Sequence, residues 1–268
     1  MNVLDTLGLS ADALATRKDW IGGSDANTIM SGNEERILKL WREKRGEYDG
    51  DDLSDVLAVQ MGSFTEPFNA AWFAKHTGLA VHSHGKVLTT EAHGIPMRCT
   101  LDGIVDGGIF EAKHTGTRST DAEIFARYVP QLTHNCIVAG ETRAYLSVFK
   151  GNADWVMFEY DLDEAYAERL IAAEYDFWRC VKTGEPPVPL PPEPTPKPKG
   201  VVEYDMHGSN AWAALAADYL DTILAADRHE TAKKGLKELV PADASKATGH
   251  GITINRDKRG ALRFAKGE

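Results

Sequence analysis

Eight of the chain's twelve prolines fall within residues 185–200, EPPVPLPPEPTPKPKG. Proline fixes φ and has no N–H to donate, so this stretch can form neither a regular helix nor a central strand and reads as extended polyproline II at the surface. It divides the 268 residues into a core of 1–184, a linker of 185–200 and an extension of 201–268. The core alone is long enough to bury a substantial apolar interior. Hydrophobic residues at 43% and charged residues at 26% are ordinary for a globular chain. No apolar run approaches the ~20 residues of a membrane helix. Residues 1–16 carry Asp5 and Asp12 and no basic n-region, unlike a secretory signal. The three cysteines, Cys99, Cys136 and Cys180, are widely spaced and form no CxxC pair. That argues against a four-cysteine metal site and fits a reducing cytoplasm. No GxxxxGK[ST] motif is present, which removes the P-loop ATPases.

The net charge of −10 is unevenly spread. Residues 228–268 hold ten Lys/Arg against five Asp/Glu, a balance of +5 that leaves −15 on the first 227. Phosphate contacts depend on local patches rather than on the sum, so nucleic acid remains open as a partner. A solvated surface accounts for the basic tail equally well.

Helical periodicity predicts helices over residues 33–44, 64–77, 121–139 and 163–183, with Gly78 and Gly184 closing the second and fourth. Strands are predicted over 81–88, 143–150 and 155–161, and a strand–turn–strand over 97–113. Strands flanked by helices on both sides indicate an α/β or α+β layer fold. In the extension, Trp212, Leu215, Tyr219, Leu220 and Leu224 recur at helical spacing within 209–240. Residues 251–264 read as a hairpin whose Arg256, Lys258, Arg259 and Arg263 are a candidate DNA contact. The six tryptophans read as core or interface, and His82-x-His84 as polar surface.

Residues 100–113, TLDGIVDGGIFEAK, concentrate the chemistry. With Gly107-Gly108 as a two-residue turn, Asp102, Glu111 and Lys113 share one face, while Leu101, Val105, Phe110 and Ala112 share the other. Converging carboxylates repel unless a hard divalent cation lies between them, which is how Mg²⁺ is held beside a phosphate. The ion can activate water, and a neighbouring lysine can stabilise charge on the phosphoryl group or orient the attacking water. Acid and base on one hairpin face also make ordinary surface ion pairs, so the pattern needs company.

Other segments supply it. Glu66, in GSFTEPFNAAWF, starts a helix whose Phe68, Trp72 and Phe73 read as core. A first-turn glutamate is equally a dipole partner. Gln131, in VPQLTHNCIVAG, lies one turn before Asn135 in an otherwise apolar setting. Arg17 precedes IGGSDA, where Gly22-Gly23 allows close approach and Ser24 starts a helix. Guanidinium, hydroxyl and helix N–H groups together suit an anion, while Ser24 and Asp25 also read as plain caps.

RKDWIGGSDA, GSFTEP, LDGIVDGGIFEAK, VPQLTH and EYDFWRCVKTGEPP, in this order, resemble the YqaJ-like viral recombinase family, which includes the phage lambda exonuclease. The resemblance covers about residues 14–190 and leaves the C-terminal extension outside it. It implies an α/β (α+β) PD-(D/E)XK restriction-endonuclease-like core, a central mixed β-sheet flanked by helices. It implies Asp102 and Glu111 as metal ligands with the carbonyl of Ala112, Lys113 as the catalytic lysine, and Glu66 and Gln131 as the acid and amide that helices bring to the site. Arg17 and Ser24 match the arginine and serine that receive a 5′-phosphate. Leu101-Asp102 replaces the usual Pro-Asp. The implied activity is two-metal, Mg²⁺-dependent digestion, with Mn²⁺ able to substitute. By the same resemblance, one strand of linear double-stranded DNA would be degraded 5′ to 3′ in a bacterial host's cytoplasm, leaving a 3′ overhang for a single-strand annealing protein. A homo-oligomer, as in a toroidal trimer, is implied as well. The alternatives are a PD-(D/E)XK endonuclease and a catalytically silent DNA-end-binding protein.

Overall fold

The computed structural model describes residues 16–189, 191, 194–199 and 204–266. The reading of residues 1–16, apart from Thr16, and part of the proline-rich one lie outside them. Two compact units are present, Met1–Val201 and Val202–Glu268.

The first unit opens with a 3-10 turn, Arg17–Asp19, followed by β1 (Ile21–Gly22), α1 (Gly23–Ile29), α2 (Glu34–Lys44) and α3 (Leu57–Thr77). Asn33 caps α2 by accepting the Arg36 N–H. Next come β2 (Lys86–Ala92), β3 (Ile95–Leu101), β4 (Gly103–Val105), β5 (Gly108–Thr115), α4 (Asp121–Ala139), β6 (Arg143–Lys150), β7 (Asp154–Asp161) and α5 (Glu164–Thr183). A capping box of Thr120 and Glu123 starts α4. Pro67 lies inside α3 and Pro130 inside α4.

Strands β4-β5-β6-β7 form a mixed sheet in that order, with β5 and β6 parallel and α4 as their crossover. A second sheet has the order β1-β3-β2. On one side of β5, Ile109 joins a large cluster with Leu146, Phe125 and Leu132 of α4, and Phe177 of α5. On the other side, Val105, Phe110, Ala112 and Tyr145 pack on Ala70 and Phe73 of α3. Strand β5 is therefore covered on both faces, and Gly108 to Ala112 are all buried. Glu111 is the one ionisable residue in that run.

The register corrects the expected hairpin. Gly103 faces Phe110, Ile104 faces Ile109 and Val105 faces Gly108, so the turn is Asp106-Gly107. Gly107 supplies a φ of 84° that a side chain would resist. Gly108 instead packs so close to β6 that a Cβ there would meet the Arg143 carbonyl at 2.7 Å. The pairing slips by two positions, so alternation survives and Glu111 and Lys113 stay opposite Phe110 and Ala112. Leu101 does not join that apolar face. It ends β3 in the other sheet and packs in the large cluster, and the chain passes between sheets at Asp102.

Other expectations shift as well. The strand expected at 81–88 lies at Lys86–Ala92, paired with β3, and only a bridge from His82 to Ile104 precedes it. Helix α3 begins at Leu57, so Glu66 sits in its third turn and is no first-turn dipole partner. Phe73 is buried, but Phe68 is exposed and Trp72 only half-buried.

In the second unit, α6 (Asn210–Glu238) is one helix. Strands β8 (Lys246–Gly249), β9 (Ile252–Arg256) and β10 (Leu262–Lys266) form an antiparallel sheet in the order β10-β9-β8, one strand more than the expected hairpin. Helix α6 buries none of its residues, so Trp212, Leu215, Tyr219, Leu220 and Leu224 are exposed and Trp212 is not core. No described helix is long and apolar enough to cross a membrane.

Candidate metal-dependent active site

Glu111 points from β5 toward α4, where both its oxygens are held. Gln131 Nε2 donates to Oε1 at 2.6 Å, and Asn135 Nδ2 donates to Oε2 at 3.1 Å. Gln131 and Asn135 meet one carboxylate because they are one helical turn apart. Gln131 is fixed in turn by Asn27 of α1, which donates to its Oε1 at 3.2 Å and accepts its backbone N–H at 2.9 Å. Lys113 Nζ also reaches Glu111 Oε1.

Asp102 sits at the step between the sheets. Its Oδ2 accepts the Ala112 N–H at 2.8 Å, and among the described residues no donor reaches Oδ1. His84 Nδ1 donates to the Asp102 carbonyl at 2.8 Å. Glu66 comes from α3, and its carboxylate likewise has no hydrogen-bond donor among the described residues. Asn69 staples α3 to the sheet by donating to the carbonyls of Lys113 and Ser147 at 3.2 and 3.1 Å. Glu66, Asp102, Lys113 and Gln131 line one cleft of about 930 Å³.

The charges in this cleft do not balance. Burial and the charge of Asp102 push Glu66 up to about 7. Burial and Asp102, opposed by Lys113, push Glu111 up to about 7. Burial raises Asp102 against the pull of Lys113 and the Ala112 N–H. For Lys113, burial acts downward, but Glu111 and Asp102 outweigh it and hold the ammonium above the usual lysine range. Three carboxylates thus share one lysine, and two of them present oxygens without donors. A hard cation fits this set. Asp102, Glu111 and the Ala112 carbonyl offer oxygen ligands of the kind Mg²⁺ or Mn²⁺ takes. Among the described residues, no group of three or more His, Cys, Asp or Glu side chains is placed to hold a metal ion by itself, so a cation here would depend on water and phosphate for its remaining ligands.

Arg17 and Ser24 do not form one open anion site. Ser24 is exposed and lines the cleft. The Arg17 guanidinium is taken by Asp25 at 2.9 Å and Glu43 at 2.7 Å. Asp25 is buried and also accepts Lys44 Nζ at 2.6 Å and the Gly22 N–H at 2.9 Å. Burial would raise its carboxyl, but Lys44 and Arg17 reverse that and hold it below the usual carboxylate range. Lys44, with a fully buried side chain, also donates to the carbonyls of Arg17 and Trp20 at 2.8 Å. It therefore ties the 3-10 turn to the start of α1.

Sequence reasoning missed Asn27, Asn69 and Lys44, and it did not give Asn135 a role. Asn135 left a signal, two amides four apart in an apolar helix. Lys44 left none, since a lysine in a last helical turn is commonplace.

Among solved structures, the alkaline exonuclease LHK-Exo from Laribacter hongkongensis superposes with a TM-score of 0.52 at 16% identity, over 66% of this chain and 94% of that one. Its complex with dAMP gives 0.52 at 15% over the same shares. A comparison with curated protein sequences returns no match. The core therefore shares the fold of this exonuclease. Residues 13–142 match the YqaJ-like viral recombinase domain. Over those residues, just under half of its length, the chain is similar to that domain.

Proposed function

We propose that the chain is a Mg²⁺-dependent exonuclease. It degrades one strand of linear duplex DNA 5′ to 3′ from a phosphorylated end and leaves a 3′ overhang for a single-strand annealing protein. The observation that carries this reading is the convergence of Glu66, Asp102 and Glu111 on one lysine, with oxygens of Glu66 and Asp102 that meet no donor among the described residues. A bound divalent ion supplies Lewis acidity and an activated water. Asp102, Glu111 and the Ala112 carbonyl would hold it, while Gln131 and Asn135 keep Glu111 aimed. Glu66, pushed up to about 7, is placed to hold or move a proton of water. Lys113 stays charged and stabilises negative charge on the phosphoryl oxygens. The dAMP complex of LHK-Exo, a relative in fold, supports a nucleotide ligand.

The test is digestion of linear duplex labelled at either end, with 5′-phosphate and 5′-hydroxyl forms, in Mg²⁺ and in EDTA. The 5′ label is expected to go first, only with metal, and Lys113→Ala should slow the reaction by about 10²–10³-fold or more. Earlier loss of 3′ label overturns the polarity.

One observation favours a second reading. Because Arg17 is already paired with Asp25 and Glu43, the turn offers no free guanidinium to an end phosphate. An endonuclease with the same metal core needs no such grip, and cleavage of covalently closed circular duplex decides for it.

A further inference from the structure

The outer face of the C-terminal sheet takes no part in the chemistry above. Its register sets Lys246 opposite Asn255, and Asn255 opposite Arg263, so a lysine, an amide and an arginine form one row across three strands. Thr248, Thr253 and Ala265 form the next row on the same face. All six are exposed except Thr253, which is half-buried. The alternate residues turn inward. Ile254 is buried, and Lys237 of α6 lies 6.0 Å from the Phe264 ring centroid. In these two rows the outer face therefore carries two cations and three neutral hydrogen-bonding side chains, and Asp257, just beyond the end of β9, pairs with one of the cations, Arg263.

The tip beside this face is built firmly. Asp257 Oδ1 accepts the N–H groups of Arg259 and Ala261, both at 2.9 Å, and its Oδ2 accepts Arg263 Nε at 3.0 Å. Arg256 donates to the carbonyls of Ala244, Gly260 and Pro241 at 3.0 to 3.2 Å. That arginine braces the fold and is not the free DNA contact its sequence position implied. Lys246, Lys258 and Arg259 make no side-chain hydrogen bond or ion pair among the described residues.

We propose that this face is a platform for the phosphate backbone of DNA, with Lys246, Lys258, Arg259 and Arg263 as its charges and Thr248, Thr253 and Asn255 as its neutral partners. The sign of the charge argues for a polyanion: residues 228–268 carry +5 against −15 on the first 227. The missing aromatic argues for backbone rather than bases. Phe264 faces inward, so nothing on the outer face can stack a base, and contact falls to phosphates. That the polyanion is DNA rests on the nuclease reading. Two sources share this chemistry, the duplex awaiting digestion and the single strand left behind.

The experiment uses the full chain with Lys113→Ala to prevent cleavage. Anisotropy is measured on a fluorescent duplex and a fluorescent single strand across a salt series. Lys246→Glu/Lys258→Glu is compared with Lys246→Gln/Lys258→Gln, and melting curves verify folding. The reversal is expected to weaken binding by about tenfold or more at low salt. Both pairs should reduce the log–log salt slope by about two, the loss of two phosphate contacts. A loss on duplex alone assigns the platform to substrate, and a loss on both forms assigns it to the backbone in general. With Lys113 restored, the reversal should raise KM and leave kcat unchanged. Unchanged affinity and slope overturn the proposal, as does a loss seen only with anionic phospholipid vesicles or polyglutamate. If the restored chain cuts no DNA yet the affinity still drops, the platform stands and the exonuclease reading fails.

Discussion

Asn135 holds Glu111 from the side opposite Gln131, its Nδ2 donating to Oε2 at 3.1 Å while Gln131 and Lys113 share Oε1. The carboxylate is thereby fixed about both oxygens before any ligand arrives. Residues that orient a metal ligand commonly matter about 10–100-fold to affinity or activity. Asn135→Leu is expected to weaken Mn²⁺ binding, read by calorimetry, and Mg²⁺-dependent cleavage by that order. Wild-type metal affinity in the variant would remove Asn135 from this role.

Gly23 of α1 gives a second handle on the same contact. A Cβ at Gly23 would lie 2.4 Å from Asn135 Oδ1, so Gly23→Ala must displace the amide. Its loss of metal affinity should resemble that of Asn135→Leu, and the double variant should lose little more than either alone. Additive losses would show that the two residues act separately.

Lys44 and Asp25 form a buried ion pair, and removing one charge leaves the other stranded. Lys44→Met should cost about 3–5 kcal/mol in urea unfolding, and Lys44→Met/Asp25→Asn less than the sum of the single changes.

Glu66 and Glu111, both raised to about 7, make metal-free stability depend on pH. A carboxyl raised in the fold contributes stability that is full below its unfolded value of 4.5 and is lost as pH rises through about 7. Melting in EDTA should therefore weaken from about pH 5 to about pH 8, and Mg²⁺ should restore more at the higher pH. Glu66→Gln should raise the metal-free Tm at about pH 8. A Mg²⁺ effect equal at both pH values would count against the cation site.

His134 lies between Glu174 Oε1 at 2.8 Å and the Arg98 carbonyl at 3.1 Å, so both ring nitrogens face oxygen acceptors, a setting that favours the charged ring. Burial acts to lower its pKa, but Glu174, the Arg98 carbonyl and the charge of Asp25 raise it overall. Its stabilisation is full below the unfolded value of 6.5 and fades as pH rises through the raised value. His134→Gln should flatten the alkaline limb of a Tm-against-pH curve, and an unchanged limb would refute the charged ring.

Much of this fold could be read along the chain, and the reasons are local. Helix Asp121–Ala139 and strand Arg143–Lys150 have the predicted bounds because cap, periodicity and a closing glycine agree. The hairpin turn was misplaced because Asp106, Gly107 and Gly108 offer two adjacent two-residue turns, and the close approach of Gly108 to Arg143 decides between them. The acidic cluster survived that error since a slip of two preserves the strand face. Lys44 and Asn27 were illegible because their roles depend on elements far along the chain. Arg17 was legible as a cation, but Glu43, 26 residues away, could not be foreseen as its partner.

Pro67 and Pro130 each stand beside a cleft residue, Glu66 and Gln131, in the two helices that flank the site. A proline gives no N–H to the carbonyl four residues earlier, so Ser63 and Ala126 lack the donor an unbroken helix would supply. Both residues line the cleft. Each flanking helix therefore carries, one turn before its proline, a mid-helix carbonyl without its usual i+4 donor, so the two walls of the cleft are less tightly laddered beside Glu66 and Gln131 than an unbroken helix would be.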